Sequence, residues 1–140
     1  MRSQESLLHL SDAMVVFDTS LMVDASRKRK YALDLIASYS EKEQIATTII
    51  TKYEMLRGAP EQYIDFVSDL LKRFVILDFG NDALDETVKV YKDLRGKGKL
   101  INELDVMIAG IAASNNEILI TRDKDFLNLE SDRIIVLPQH

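Results

Sequence analysis

Five short apolar runs, rich in β-branched residues, recur along the chain: Val15–Phe17, Ile45–Ile50, Val75–Leu77, Ile118–Ile120 and Ile134–Leu137. Most lack the polar alternation of a sheet with one wet face. They read as strands covered on both sides, the habit of a parallel sheet. Helical spacing fills the intervals. Ala32, Leu35, Ile36 and Tyr39 stand at i, i+3, i+4 and i+7. Tyr63, Phe66, Val67 and Leu70 repeat that spacing, and Leu71 and Phe74 extend it. Leu84, Val88 and Tyr91 mark another helix, and Leu104, Met107, Ile108 and Ile111 one more. Pro60 suits a helix first turn, and Gly96 and Gly98 suit a helix end. Strands alternating with helices define an α/β domain, and 140 residues suit one such domain. Ligands of these sheets bind beyond the carboxyl ends of the strands.

Other features narrow the function. There is no cysteine, so disulfides and thiolate metal sites are excluded. The two histidines, His9 and His140, lie near opposite termini, which argues against a histidine-bound zinc. No apolar run approaches the ~18 residues of a membrane span, and "LLHL" in the first dozen residues is too short for a signal sequence. A cytoplasmic protein is the expectation. The net charge of -5 gives no reason in itself to expect nucleic acid, although carboxylates gathered in a metal site lower the total as well.

Four acidic residues occupy equivalent places. Asp18 ends the run "MVVFD"; Glu54 lies in "TTIITKYEMLRG", just past the second strand. Asp105 lies in the first helical turn of "NELDVMIAGIAAS"; Asp123 follows the strand "EILIT", with Asp125 two residues on. Each has a plain structural reading. Asp18 or Ser20 can cap the next helix. Thr51 and Glu54 have the spacing of a capping box. Asp105 can answer a helix dipole, and Asp123 and Asp125 can form a turn. Capping residues have no need to converge, however, whereas strand ends and helix starts on one rim of a parallel sheet do. Carboxylates gathered there repel unless a cation compensates. Oxygen donors without His or Cys favour a hard cation, Mg²⁺ or Mn²⁺, which polarises phosphoryl groups and activates water. The small residues Ala109, Ala112 and Ala113 continue the stripe through Asp105 and let its helix approach its neighbours closely.

The motifs "VVFDTS", "YEMLRG", "LDVMIAGIAAS" and "LITRDKDF" together resemble the PIN domain, and within it the VapC-type toxin ribonucleases. The resemblance runs from about Met14 to Leu137. It implies an α/β three-layer sandwich with a central five-stranded parallel sheet flanked by helices. The implied activity is an Mg²⁺- or Mn²⁺-dependent endoribonuclease, the toxin of a toxin–antitoxin pair, with RNA as substrate and a small antitoxin as partner. Asp18, Glu54, Asp105 and Asp123 match the acidic metal-site positions, and Asp125 a nearby one less consistently used. Thr19, Ser20 and Thr121 match hydroxyls that orient carboxylates or water from outside the metal sphere. By the same resemblance a homodimer is expected, and the broad apolar stripes of the Ala32–Tyr39 and Tyr63–Phe74 regions are its expected surface. Residues 1–13 stand ahead of the domain at 14–140 as an extension. With only Leu7, Leu8 and Leu10 to pack, that extension is expected to be dispensable for folding.

Two basic clusters are candidate RNA contacts: Arg27, Lys28, Arg29 and Lys30, and Lys92, Arg95, Lys97 and Lys99. The alternative for each is a solvated helix face. Arg57 and Arg122, beside Glu54 and Asp123, suit either pairing with carboxylates or meeting substrate. Aromatic residues are few and mostly fit core stripes, so no base-stacking platform is expected. A PIN nuclease of RNA maturation or turnover and a catalytically silent RNA- or protein-binding scaffold remain alternatives. A receiver domain or a haloacid-dehalogenase-like phosphatase is set aside. The phosphatase motif needs a second Asp at position 20, which is Ser, and the last strand lacks the receiver's lysine.

Overall fold

The computed structural model describes residues 14–139; segment 1–13, with the extension reading attached to it, and residue 140 lie outside the described residues. Five strands, β1 (Val15–Phe17), β2 (Ile45–Thr48), β3 (Val75–Leu77), β4 (Ile118–Thr121) and β5 (Ile134–Val136), form one sheet in the order β3-β2-β1-β4-β5. All four pairings are parallel. The helices among the described residues are α1 (Thr19–Ser26), α2 (Lys30–Lys42), α3 (Ile49–Gly58), α4 (Ile64–Leu71), α5 (Asn81–Gly96) and α6 (Glu103–Ser114). Single 3₁₀ turns lie at Glu61–Tyr63 and Lys124–Asn128.

Strand periodicity divides the core into two layers. Val15 and Phe17 of β1 and Ile118 and Ile120 of β4 join Leu21, Met22, Ile36, Leu70 and others on one face. Phe17 meets Tyr39 and Phe74 edge-on, with ring centroids 6.1 and 5.6 Å apart. Val16 and Leu119 point the other way, into Ile108, Ile111 and Phe126. The central strands are buried on both faces, which is why they read as unbroken apolar runs. Each large side chain so buried contributes roughly 1.5–3 kcal/mol.

Three expectations change. The second apolar run stops as a strand at Thr48, whose hydroxyl accepts from Thr51 N at 3.0 Å and caps α3. With the helix starting at Ile49, Thr51 is inside it, and no capping box with Glu54 forms. On α4, Val67, Leu70 and Leu71 are buried, whereas Phe66 and the preceding Tyr63 face solvent. On α5, Leu84 and Val88 are exposed and the buried residues are Ala83 and Leu94. That helix turns the side with Ala83, Val90 and Leu94 to the core, so Leu84 and Val88 point outward. It ends as its glycines suggest. Gly98 takes a left-handed backbone (φ 69°), and Lys99 N and Gly98 N bond back to Leu94 O and Arg95 O. Those bonds satisfy carbonyls the helix leaves open.

Contact between α5 and α6 is close at Gly110. A Cβ there would stand 1.9 Å from Thr87 Oγ1 and 2.8 Å from Thr87 Cα, so side chain and backbone both obstruct it. Ala109 and Ala112 are buried alongside, and Ala113 is exposed. Gly110→Ala should cost about 1–3 kcal/mol by overpacking, and thermal melting should show the drop. Adding Thr87→Ala should recover only part of it, because the backbone clash remains.

Candidate active site

The strand order turns about β1, with β2 and β3 on one side and β4 and β5 on the other. Connections leaving β1 and β4 part there and open a crevice at the carboxyl ends of those strands. Asp18 follows β1, Asp123 follows β4, and Asp18 N bonds to Ile120 O at 3.1 Å.

Asp18 is buried, 1% exposed. Its Oδ1 accepts from Leu21 N at 3.1 Å and from Ser20 Oγ at 2.7 Å, and its Oδ2 accepts from the Thr121 hydroxyl. The capping reading of Asp18 therefore holds, while its other oxygen reaches across to β4; Ser20 serves the carboxylate and is not the cap. Thr121 in turn accepts from Asp123 N at 2.9 Å, and Ser20 from Arg122 N at 3.2 Å. One set of hydroxyls thus fixes Asp18 and the β4 exit together. Burial drives the Asp18 carboxyl up to about 6, against three hydrogen bonds that favour its anion.

Glu54 is mid-helix on α3, oriented from α1 by Thr19, whose Oγ1 donates to Glu54 Oε1 at 2.8 Å. The Thr19 hydroxyl also lies 2.9 Å from that of Thr51, which is 3.3 Å from that of Thr48. Thr47 donates to Phe17 O at 2.7 Å. Thr47 and Thr48 were not among the sequence candidates. Their signal was the pair "TT" closing an otherwise apolar strand, where hydroxyls must find buried partners.

Asp105 stands in the first turn of α6, which Asn102 caps by accepting from Leu104 N at 2.9 Å. Its carboxyl is pushed up to about 7, first by burial and then by the charges of Asp123, Asp18, Glu54 and Asp125. Carboxylates from four different elements therefore bear on one region. Asp123 caps the following 3₁₀ turn by accepting from Asp125 N at 2.9 Å, and Asp125 itself is exposed. The turn reading of Asp123 is also correct. Among the described residues, no three acidic or imidazole groups are arranged to hold a metal ion as they stand. In chemistry the donor set is all oxygen, suited to a hard cation.

Neither neighbouring arginine neutralises this cluster. Arg122 pairs with Asp24 at 2.9 Å and lies over the Tyr31 ring. Asp24 also receives Arg29 at 3.5 Å and the Tyr31 hydroxyl. Arg57 lies over Tyr53. In the basic clusters, Lys28 sits over Phe66, Lys30 pairs with Asp34, Arg95 covers Tyr91, and Lys97 pairs with Asp93. Arg27, Lys92 and Lys99 are exposed.

The family description "PIN domain" matches residues 15–131. Ribonuclease VapC1 of Methanocaldococcus jannaschii is 29% identical over 118 residues, 84% of this chain and 81% of the relative. The tRNA(fMet)-specific endonuclease VapC of Salmonella typhimurium is 30% identical over 91 residues, 61% of this chain and 69% of the relative. Among solved structures, DNA-bound VapBC from Salmonella typhimurium superimposes with a TM-score of 0.79 at 23% identity, covering 89% of this chain and 98% of that one. VapBC2 from Rickettsia felis, bound to a DNA fragment from its promoter, gives 0.78 at 22%, with the same coverage. The order of the sheet, the acidic crevice at the ends of β1 and β4 and the matched span agree: this chain belongs to the PIN domain family.

Proposed function

We propose that the chain is a divalent-metal-dependent endoribonuclease that hydrolyses RNA phosphodiester bonds and acts as the toxin of a toxin–antitoxin pair. Its family membership and its relatives named as VapC ribonucleases support this, and the VapBC toxin–antitoxin complexes share its fold. The single observation that carries it is that carboxylates at the ends of β1 and β4 and on α3 bear on Asp105 of α6, while Arg122 is paired with Asp24 and Arg57 lies over Tyr53. Asp18, Glu54, Asp105 and Asp123 would hold Mg²⁺ or Mn²⁺, with Asp125 at the margin. Such an ion polarises the phosphoryl group and lowers the pKa of bound water. Thr121 and Ser20 hold Asp18, and Thr19 holds Glu54, so that these oxygens face the crevice in fixed positions. The same reading carries a small antitoxin partner, a homodimer and a cytoplasmic location. No helix among the described residues is long and apolar enough to cross a membrane. The stripes expected to pair the dimer are largely spent on the core, through Ile36, Tyr39, Val67 and Leu70.

Asp18→Asn tests the site directly. The amide oxygen can keep the helix cap and the amide N–H can face Thr121, so the fold should survive. Cleavage of RNA with Mg²⁺ or Mn²⁺ should be abolished. Full cleavage by this variant, or by wild type in excess chelator, would sink the reading. In the wild type, metal at a hundred times its Kd should add about 2.7 kcal/mol of stability.

Stability of the metal-free protein should depend on pH in a defined direction. Asp18 and Asp105 bind protons more tightly folded, at about 6 and about 7, than at the ordinary 3.8. Between about pH 4 and 7 the native state therefore holds more protons, and stability falls as pH rises. The fully buried Asp18 accounts for about 3 kcal/mol of that fall at 1.36 kcal/mol per unit. Denaturant titrations in chelator from pH 4.5 to 8 should show the decline. Asp105→Asn should flatten it between pH 6 and 7.

A further inference from the structure

We propose that the groove beside Glu54 holds one nucleotide of single-stranded RNA adjacent to the bond being cut, with its base against Tyr63 and Phe66 and its phosphate at Arg27 and Lys28. This rests on the ribonuclease reading above and adds the subsite that positions its substrate.

The groove encloses about 680 Å³ between the end of α1, α3 and the start of α4. That is the size of a small-ligand site, enough for a nucleotide. Glu54 forms part of its wall, so the groove borders the acidic crevice at that carboxylate. Tyr63 and Phe66 line it and are 56% and 37% exposed. Both fall in the helical spacing of core residues, yet the core is filled without them. Every base offers a face to such rings, whatever the sequence. The Lys28 ammonium stands 5.1 Å from the Phe66 ring, on a backbone with φ 61° that lysine rarely adopts. With Arg27 it puts positive charge on the rim of a groove in a chain of net charge -5. A polyanion repelled by the carboxylates needs such cations nearby to approach. The competing occupant is an amphipathic helix of a protein partner. That helix needs a continuous apolar strip, whereas Arg27, Lys28 and Glu54 interrupt this one.

The test uses the full-length protein and two measurements. Anisotropy of fluorescein-labelled single-stranded RNA hexamers in excess chelator reads binding. Cleavage of a longer RNA with Mg²⁺ reads kcat and KM. Phe66→Ala and Tyr63→Ala should each weaken hexamer binding and raise KM about tenfold, as loss of a stacked base does, with kcat nearly unchanged. Arg27→Gln and Lys28→Gln should each reduce the salt slope of binding by about one. Val88→Ala, equally apolar and exposed on α5, should change neither measurement. Unaltered binding and KM in both aromatic variants overturn the proposal. That outcome would leave the groove as a protein-docking face. If hexamers bind through Phe66 but wild type cuts no RNA, the subsite stands and the ribonuclease reading falls. If RNA is cut regardless of Tyr63 and Phe66, the reverse holds.

Discussion

A carboxylate buried to 1% exposure at the centre of a parallel sheet is tolerable only if its lone pairs are occupied. Asp18 meets that condition through Leu21 N, Ser20 and Thr121. Two of these donors come from α1 and one from β4, so satisfying the charge also fixes the angle at which α1 leaves β1 and the position at which β4 ends. Asp123 and Glu54 inherit their places from this arrangement. Thr121 accepts from Asp123 N and sets the start of the 3₁₀ turn. Thr19, one residue after Asp18, reaches Glu54 on α3. The site is therefore less a set of separate side chains than one hydroxyl-lined frame spanning β1, β4, α1 and α3.

The helix that carries Asp105 is brought in by different means. Among the described residues it makes no hydrogen bond to this frame and depends on packing, chiefly the Gly110 contact with Thr87 and the buried Ala109 and Ala112. Small residues shorten the distance between α5 and α6 and hold the helix on the sheet. That leaves the Asp105 carboxylate half-buried and facing four like charges. Close packing here works against electrostatics, and hydrophobic burial of Ile108 and Ile111 offsets the repulsion.

The strands, their parallel arrangement and the placement of the acidic residues were legible because buried parallel strands have few alternatives in sequence. Val15–Phe17 and Ile118–Ile120 can only be covered runs. Helix faces were less legible. The spacing of Tyr63 and Phe66 matches that of Val67 and Leu70, and periodicity alone does not say which apolar residues the core has room for. Leu84 and Val88 fail for the same reason, since α5 turns the side with Ala83, Val90 and Leu94 inward. The run Ile45–Ile50 hid a helix start, because β-branched residues at Thr47 and Thr48 suit a strand and a cap equally well. The partners of Arg57 and Arg122 were open in the sequence because a guanidinium reaches several directions. Only the position of Asp24 decides the matter for Arg122.

That choice has a consequence for charge. Arg122 precedes Asp123 in the chain, and a guanidinium folded onto the crevice would neutralise part of the acidic cluster. Asp24 holds it away, in a knot that also takes up Arg29 and the Tyr31 hydroxyl. Asp24 sits on α1, the helix that also carries Thr19 and Ser20, so one element both orients the site's carboxylates and holds the neighbouring Arg122 away from them. The local field is thus set by which partner each arginine is given rather than by the net charge of the chain. A protein of net charge -5 can in this way keep a negative crevice beside a groove with a positive rim. An acidic site that must meet a polyanion requires that separation.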